Sequence, residues 1–135
     1  MKLKECYDTI GGNYEDVRQR IPSDKIITKF VIKFLSDPSY RNLSASLERE
    51  NYEEAFRAAH SLKGVSQNLG FQRLGSSSSA LTEVLRERGE RKLTPDLWKE
   101  LFGQVSADYE AVTEAVGKLK EAQELSFKRT ACNLI

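Results

Sequence analysis

His60 is the only histidine in the chain, and it stands in the run Ala58-Ala59-His60-Ser61-Leu62-Lys63-Gly64-Val65-Ser66-Gln67. Imidazoles titrate near neutrality, so an exposed one keeps an unprotonated ring nitrogen free to act as a nucleophile. A lone histidine is ordinarily just a surface or core side chain, and its neighbours must argue otherwise. Lys63, one turn on, is either a solvated charge paired with Glu53 or Glu54, or a cation placed to favour a negative group on the ring. Gly64 in a helix interior costs about 1 kcal/mol relative to alanine. On an exposed face that cost has no packing explanation, but a glycine lets another protein's backbone come close beside His60.

Other chemistries fit the residue types less well. One histidine, with Cys6 and Cys132 at opposite ends of the chain, builds no transition-metal ligand set. No nucleophile elbow surrounds a serine. Gly-rich phosphate loops of the Walker or dinucleotide type are missing from the sequence, so nucleotide binding by those routes is not expected. A histidine that accepts phosphate here must receive it from another protein.

The elements that hold these residues read as helices. Gly11-Gly12 ends a short N-terminal helix, and Asn13 can start another short turn. Ser23 is a good N-cap for a helix over about Asp24 to Ser36, which Asp37-Pro38 interrupts. A shorter helix follows to about Glu50. Asn51 caps the next, with Glu54 in capping-box position, and Gly70 ends it. Another helix runs to Arg88 with Gly89 as its stop. Thr94-Pro95-Asp96 reads as N-cap, N1 proline and acidic N2, and the last helix runs to about Leu125. No stretch alternates as a strand would. Apolar residues recur every three or four positions, as in Trp98, Phe102, Val105, Tyr109, Val112, Val116 and Leu119, or Ala55, Ala58, Leu62, Val65 and Leu69. The helix between them, Leu74, Ser78, Leu81 and Leu85, keeps this rhythm with a small residue in one slot. Such spacing with short connections predicts an all-α fold, an up-and-down four-helix bundle with additional N-terminal helices covering one end. The expected division is a short helical segment over 1–22, the bundle over 23–125 and a flexible tail over 126–135. At about 100° per residue, His60 falls roughly 170° from the centre of the Ala55–Leu69 stripe and points to solvent. Phe56 and Phe71 fall on the same outer half and read as a docking patch flanking the histidine.

The stretch Ala58-Ala59-His60-Ser61-Leu62-Lys63-Gly64-Val65-Ser66-Gln67-Asn68-Leu69-Gly70 is similar to the signature of the HPt (histidine-containing phosphotransfer) domain family. The resemblance extends from about Asp24 to Leu119. It implies that His60 is the phosphorylated residue, that Lys63 supports the phosphoryl group, that Gly64 gives a receiver domain room to approach, and that Gln67 hydrogen-bonds near the imidazole. The dimerising histidine domains of sensor kinases usually carry an acidic residue after the histidine and a proline soon after. Ser61 and a proline-free helix depart from that pattern.

The resulting expectation is a phosphoryl carrier, not an enzyme, that moves a phosphoryl group on His60 between receiver-domain aspartates of a two-component phosphorelay. Response-regulator receivers and a hybrid sensor kinase are its implied partners; it needs no cofactor of its own, and Mg²⁺ belongs on the receiver. The rival is a helical module that docks and regulates a receiver or kinase without being phosphorylated. Twenty-one basic residues against twenty acidic ones give a formal net charge of +1, so no global field draws nucleic acid. No run of about 18 apolar residues spans a membrane. Two distant cysteines and no apolar leader suggest a cytoplasmic protein, and a monomer is expected. Cys132-Asn133-Leu134-Ile135 loosely fits a prenylation box, the basis for a third reading as a membrane-anchored adaptor.

Overall fold

Capping side chains set where the helices begin. Asn13 Oδ1 accepts the Asp16 backbone N–H at 3.0 Å, Ser23 Oγ that of Ile26 at 3.3 Å, and Asn51 Oδ1 that of Glu54 at 3.2 Å. The capping box at Asn51 is only half made: the Asn51 N–H donates to Ser46 O, and the Glu54 carboxylate pairs with Arg57. A computed structural model describes residues 1–89 and 93–133, with seven α-helices and no strand among them. They are α1 (Leu3–Ile10), α2 (Tyr14–Arg20), α3 (Asp24–Lys33), α4 (Ser39–Glu48), α5 (Tyr52–Asn68), α6 (Gln72–Arg86) and α7 (Pro95–Asn133). Short 3-10 turns over Phe34–Ser36 and Glu87–Gly89 extend α3 and α6.

Sequential packing follows from the short connections. α5 lies between α4 and α6, and α6 packs on α7. Tyr40 of α4 closes the ring: its side chain stacks on Tyr109 of α7 at 3.9 Å between centroids and its hydroxyl shares a hydrogen bond with Ser106 at 2.9 Å. The core uses the predicted stripes. Leu62, Leu74, Ser78, Leu81, Leu85, Val105, Val116 and Leu119 are fully buried. α1 and α3 also pack on α7, and α1 contributes Leu3, Cys6, Tyr7 and Ile10 to the same core.

Two expectations change. α7 does not stop near Leu125 but continues through Asn133. The apolar rhythm fades there, but no glycine or proline follows Gly117, and residues such as Glu121, Ala122, Gln123 and Leu125 favour helix without packing. Val65, placed on the core stripe, is only half-buried and lines a surface cleft. Among the described residues no helix is long and apolar enough to cross a membrane. Leu134 and Ile135 lie outside the described residues, as does the Cys132 side chain, and with them the prenylation box.

Candidate functional site

α5 carries the site, and its C-terminal end is closed with full hydrogen-bond accounting. Gly70 adopts φ +70°, which suits glycine, and its N–H donates to Gln67 O at 3.2 Å while that of Phe71 donates to Ser66 O at 2.8 Å. This is the paired-bond helix stop that a left-handed glycine allows. The next three carbonyls are met by the N-terminal segment. Arg20 donates to Asn68 O at 2.8 Å, the Tyr7 hydroxyl to Leu69 O at 2.6 Å, and the Asn13 N–H to Gly70 O at 2.8 Å.

That turn corrects one site residue. Phe71 is not on the outer face; it is 1 % exposed, between Tyr7 (5.9 Å) and Phe34 (5.2 Å). The α5 wheel cannot be extended past Gly70, because its positive φ redirects the chain inward, and the covering Tyr7 comes from a segment that periodicity alone does not place.

His60 is exposed, as the wheel predicts. Gly64, one turn on, faces empty space: a Cβ built there meets nothing within 4 Å. Lys63 is half-exposed. Glu53 and Glu54, its expected partners, pair instead with Arg57 at 2.7 and 3.4 Å, and nine or ten residues of helix, about 14–15 Å, separate them from Lys63. Gln67 shares the face but lies two turns, about 10 Å, along the axis from His60. It lines a polar groove between α5 and α6 with Asn13, Asp16, Gly75, Ser76 and Ser79, and makes no side-chain hydrogen bond to His60 among the described residues. Behind that groove α5 and α6 meet through small residues, where the buried hydroxyls of Ser66 and Ser78 find no hydrogen-bond partner among the described residues.

Phe56 is half-buried and packs against the core with one side. Its ring lies near-parallel to the His60 imidazole, 15° between planes and 6.0 Å between centroids. Arg86 and Arg88 stand over the same ring at 5.1 and 5.7 Å. Arg86 also meets Glu83 at 3.4 Å, and Arg88 donates to Leu85 O at 2.7 Å. Neither arginine is conspicuous in the sequence. The available signal is hairpin register: Phe56 lies fourteen residues before Gly70 and Arg86 sixteen after it, so antiparallel helices bring them together.

A second feature also escapes periodicity. Ile26 and Phe30, one turn apart on α3, are 46 % and 44 % exposed. Phe30 forms an apolar cleft with Ile21, Phe34, Val65 and Leu69, with Lys33 at its rim. The cleft reaches the end of α5 at Val65, Asn68 and Leu69 and the turn before α4 at Asp37 and Pro38.

Exposed nucleophile, open approach, nearby cations and apolar flank together suit transient docking of another protein around one imidazole. A model of the Hpt domain family matches residues 36–122, a span that includes α4 to most of α7 and His60. No curated protein and no solved structure matches the chain.

Proposed function

Because the chain belongs to the Hpt domain family, whose members are phosphocarrier modules of two-component phosphorelays, we propose that His60 is its phosphoacceptor. The donor is a receiver-domain aspartyl phosphate, for instance the receiver of a hybrid sensor kinase. An imidazole ring nitrogen attacks phosphorus, an N–P bond forms, the P–O bond breaks, and the receiver recovers its carboxylate. A second receiver's aspartate reverses the step. Phosphoryl transfer depends mainly on positioning and on neutralising charge, so the Mg²⁺ and carboxylates belong to the receiver, while this chain supplies nucleophile, cations and surface. Lys63 attracts the phosphoryl oxygens. Gly64 leaves the receiver's loops room, and the α5–α6 groove and the Phe30 cleft flank the approach. Gln67, at the groove, contacts the receiver instead of the imidazole.

One observation carries this reading: the only imidazole is exposed beside a helix-interior glycine with nothing within 4 Å of its missing side chain. Incubation with a phosphorylated receiver should give acid-labile, base-stable label on the chain. His60→Gln should abolish it with melting nearly unchanged, since an exposed substitution rarely costs more than ~0.5 kcal/mol. Equal labelling of the variant overturns the proposal. Receiver binding without label on the wild-type chain instead supports a docking module that is never phosphorylated.

A further inference from the structure

The Phe56 ring has a place in the site that neither apolar burial nor docking explains. One side packs on the core, one face neighbours the imidazole in a near-parallel stack, and two guanidiniums from the end of α6 lie over it. Four groups converge on one ring, the imidazole and two cations among them.

We propose that Phe56 is a positioning residue for phosphotransfer: its ring fixes the plane of the His60 imidazole and gathers Arg86 and Arg88 beside it. This rests on the phosphocarrier reading above. The lone pair of an imidazole nitrogen lies in the ring plane. A ring held near-parallel to Phe56, 15° between planes and 6.0 Å between centroids, has the plane of that electron pair set before an incoming phosphorus arrives. An exposed side chain without such a neighbour turns freely about its terminal torsion, which is broad for histidine, and loses that alignment for most of the time. Offset aromatic pairs with centroids 4.5–7 Å apart are favourable, and the same negative ring face attracts guanidinium groups. The arginines have weak competing ties: Arg86 shares an exposed ion pair with Glu83, and Arg88 caps the Leu85 carbonyl. Among the described residues, the ring is the group that both guanidiniums share.

In the transfer step the phosphoryl group leaves the receiver's carboxylate oxygen for the imidazole nitrogen, and negative charge on its three oxygens shifts onto this chain's side. Cations held in advance meet that charge without reorganising.

The test uses the full chain and a phosphorylated receiver in single-turnover transfer, with the concentration of this chain varied so that maximal rate and half-saturation separate. Phe56→Leu keeps apolar bulk and removes the ring; it should lower the maximal rate about two- to tenfold, the range an aromatic pair contributes, with half-saturation unchanged. Phe56→Tyr keeps the ring and should restore the rate. In NMR spectra of the unphosphorylated chain, the His60 ring protons should be displaced upfield by the Phe56 ring current and return in Phe56→Leu. Paired Arg86→Gln and Arg88→Gln should leave that displacement intact yet lower the maximal rate. A Phe56→Leu defect confined to half-saturation makes Phe56 a docking residue and overturns the proposal, as does an unchanged His60 spectrum. Failure of the carrier reading is visible separately, as a wild-type chain that takes no label while the ring-current displacement persists.

Discussion

Replacing Gly64 should raise stability and lower function in one stroke, an outcome that ordinary packing residues do not give. The position is interior to the 17-residue helix α5, and an added Cβ meets nothing within 4 Å, so alanine brings no clash. Helix propensity then favours Gly64→Ala by ~1 kcal/mol. In a domain of this size that raises Tm by roughly 3–5 °C. Gly64→Gln retains most of the gain, glutamine being nearly as good a helix former. Transfer should respond in the opposite sense. A methyl at this position stands one turn from His60, where the proposed function brings in the receiver's backbone, and a displacement of about 1 Å in a transfer geometry can cost on the order of a hundredfold. Alanine should slow transfer moderately, and glutamine by about that factor. Gly103 in α7 supplies the control, since it too faces empty space: Gly103→Ala should raise Tm similarly and leave transfer alone. Melting by circular dichroism and phosphotransfer on the same samples decide it. If Gly64→Gln melts below wild type, the glycine serves packing; if it transfers at the wild-type rate, this face is not where a receiver docks.

Lys63→Ala should slow transfer or shorten the phosphohistidine lifetime severalfold without unfolding the bundle, because attraction between a cation and a group of charge near −2 is worth ~1 kcal/mol or more even when partly screened. Rates and lifetimes equal to wild type would make Lys63 a solvated helix charge. Tyr7→Phe removes the buried hydrogen bond to Leu69 O and should cost ~1–3 kcal/mol in denaturant unfolding, the penalty of stranding a buried carbonyl. An unchanged midpoint would mean that the N-terminal segment does not fasten the end of α5.

Local chemistry made most of the helices readable. Asn13, Ser23, Asn51 and Gly70 each act at the boundary where their side chain or backbone freedom points, and α7 starts directly after Thr94. The exposed place of His60 followed from counting positions against the Ala55–Leu69 stripe, because helical period and core burial are linked through one geometry. What failed did so where that period ends or where distant segments meet. Phe71 went to the wrong side because a wheel drawn through Gly70 ignores its left-handed backbone. Phe56 was legible as an outer residue but not as a ring under two arginines, since Arg86 and Arg88 reach it only across the α5–α6 hairpin. Ile26 and Phe30 looked like ordinary helix residues in a chain that gives no local sign of which α3 face stays uncovered. The length of α7 was missed because helix formers continue after the core contacts have ceased.

The N-terminal helices matter to the site through the backbone. The family match begins at residue 36, yet at the end of the helix that bears His60 the carbonyls of Asn68, Leu69 and Gly70 each take a donor from residues before it, Gly70 O accepting the Gln72 N–H as well. Any helix leaves its last carbonyls without partners inside the helix. Here two are met by side chains, Arg20 and Tyr7, and one by the Asn13 backbone, so α5 is finished by tertiary contacts and not by solvent. The same contacts place Asn13 and Asp16 along the groove that Gln67 lines. Tyr7 itself is wholly buried, and burial pushes its phenol well above the usual range; the hydroxyl is a donor to Leu69 O at neutral pH with or without that shift. The segment outside the family's span thus sets the rigid end of the helix whose middle turn presents the imidazole. Its loss would loosen the Gln67 end of α5 while leaving His60, two turns away, on a helix still packed between α4 and α6.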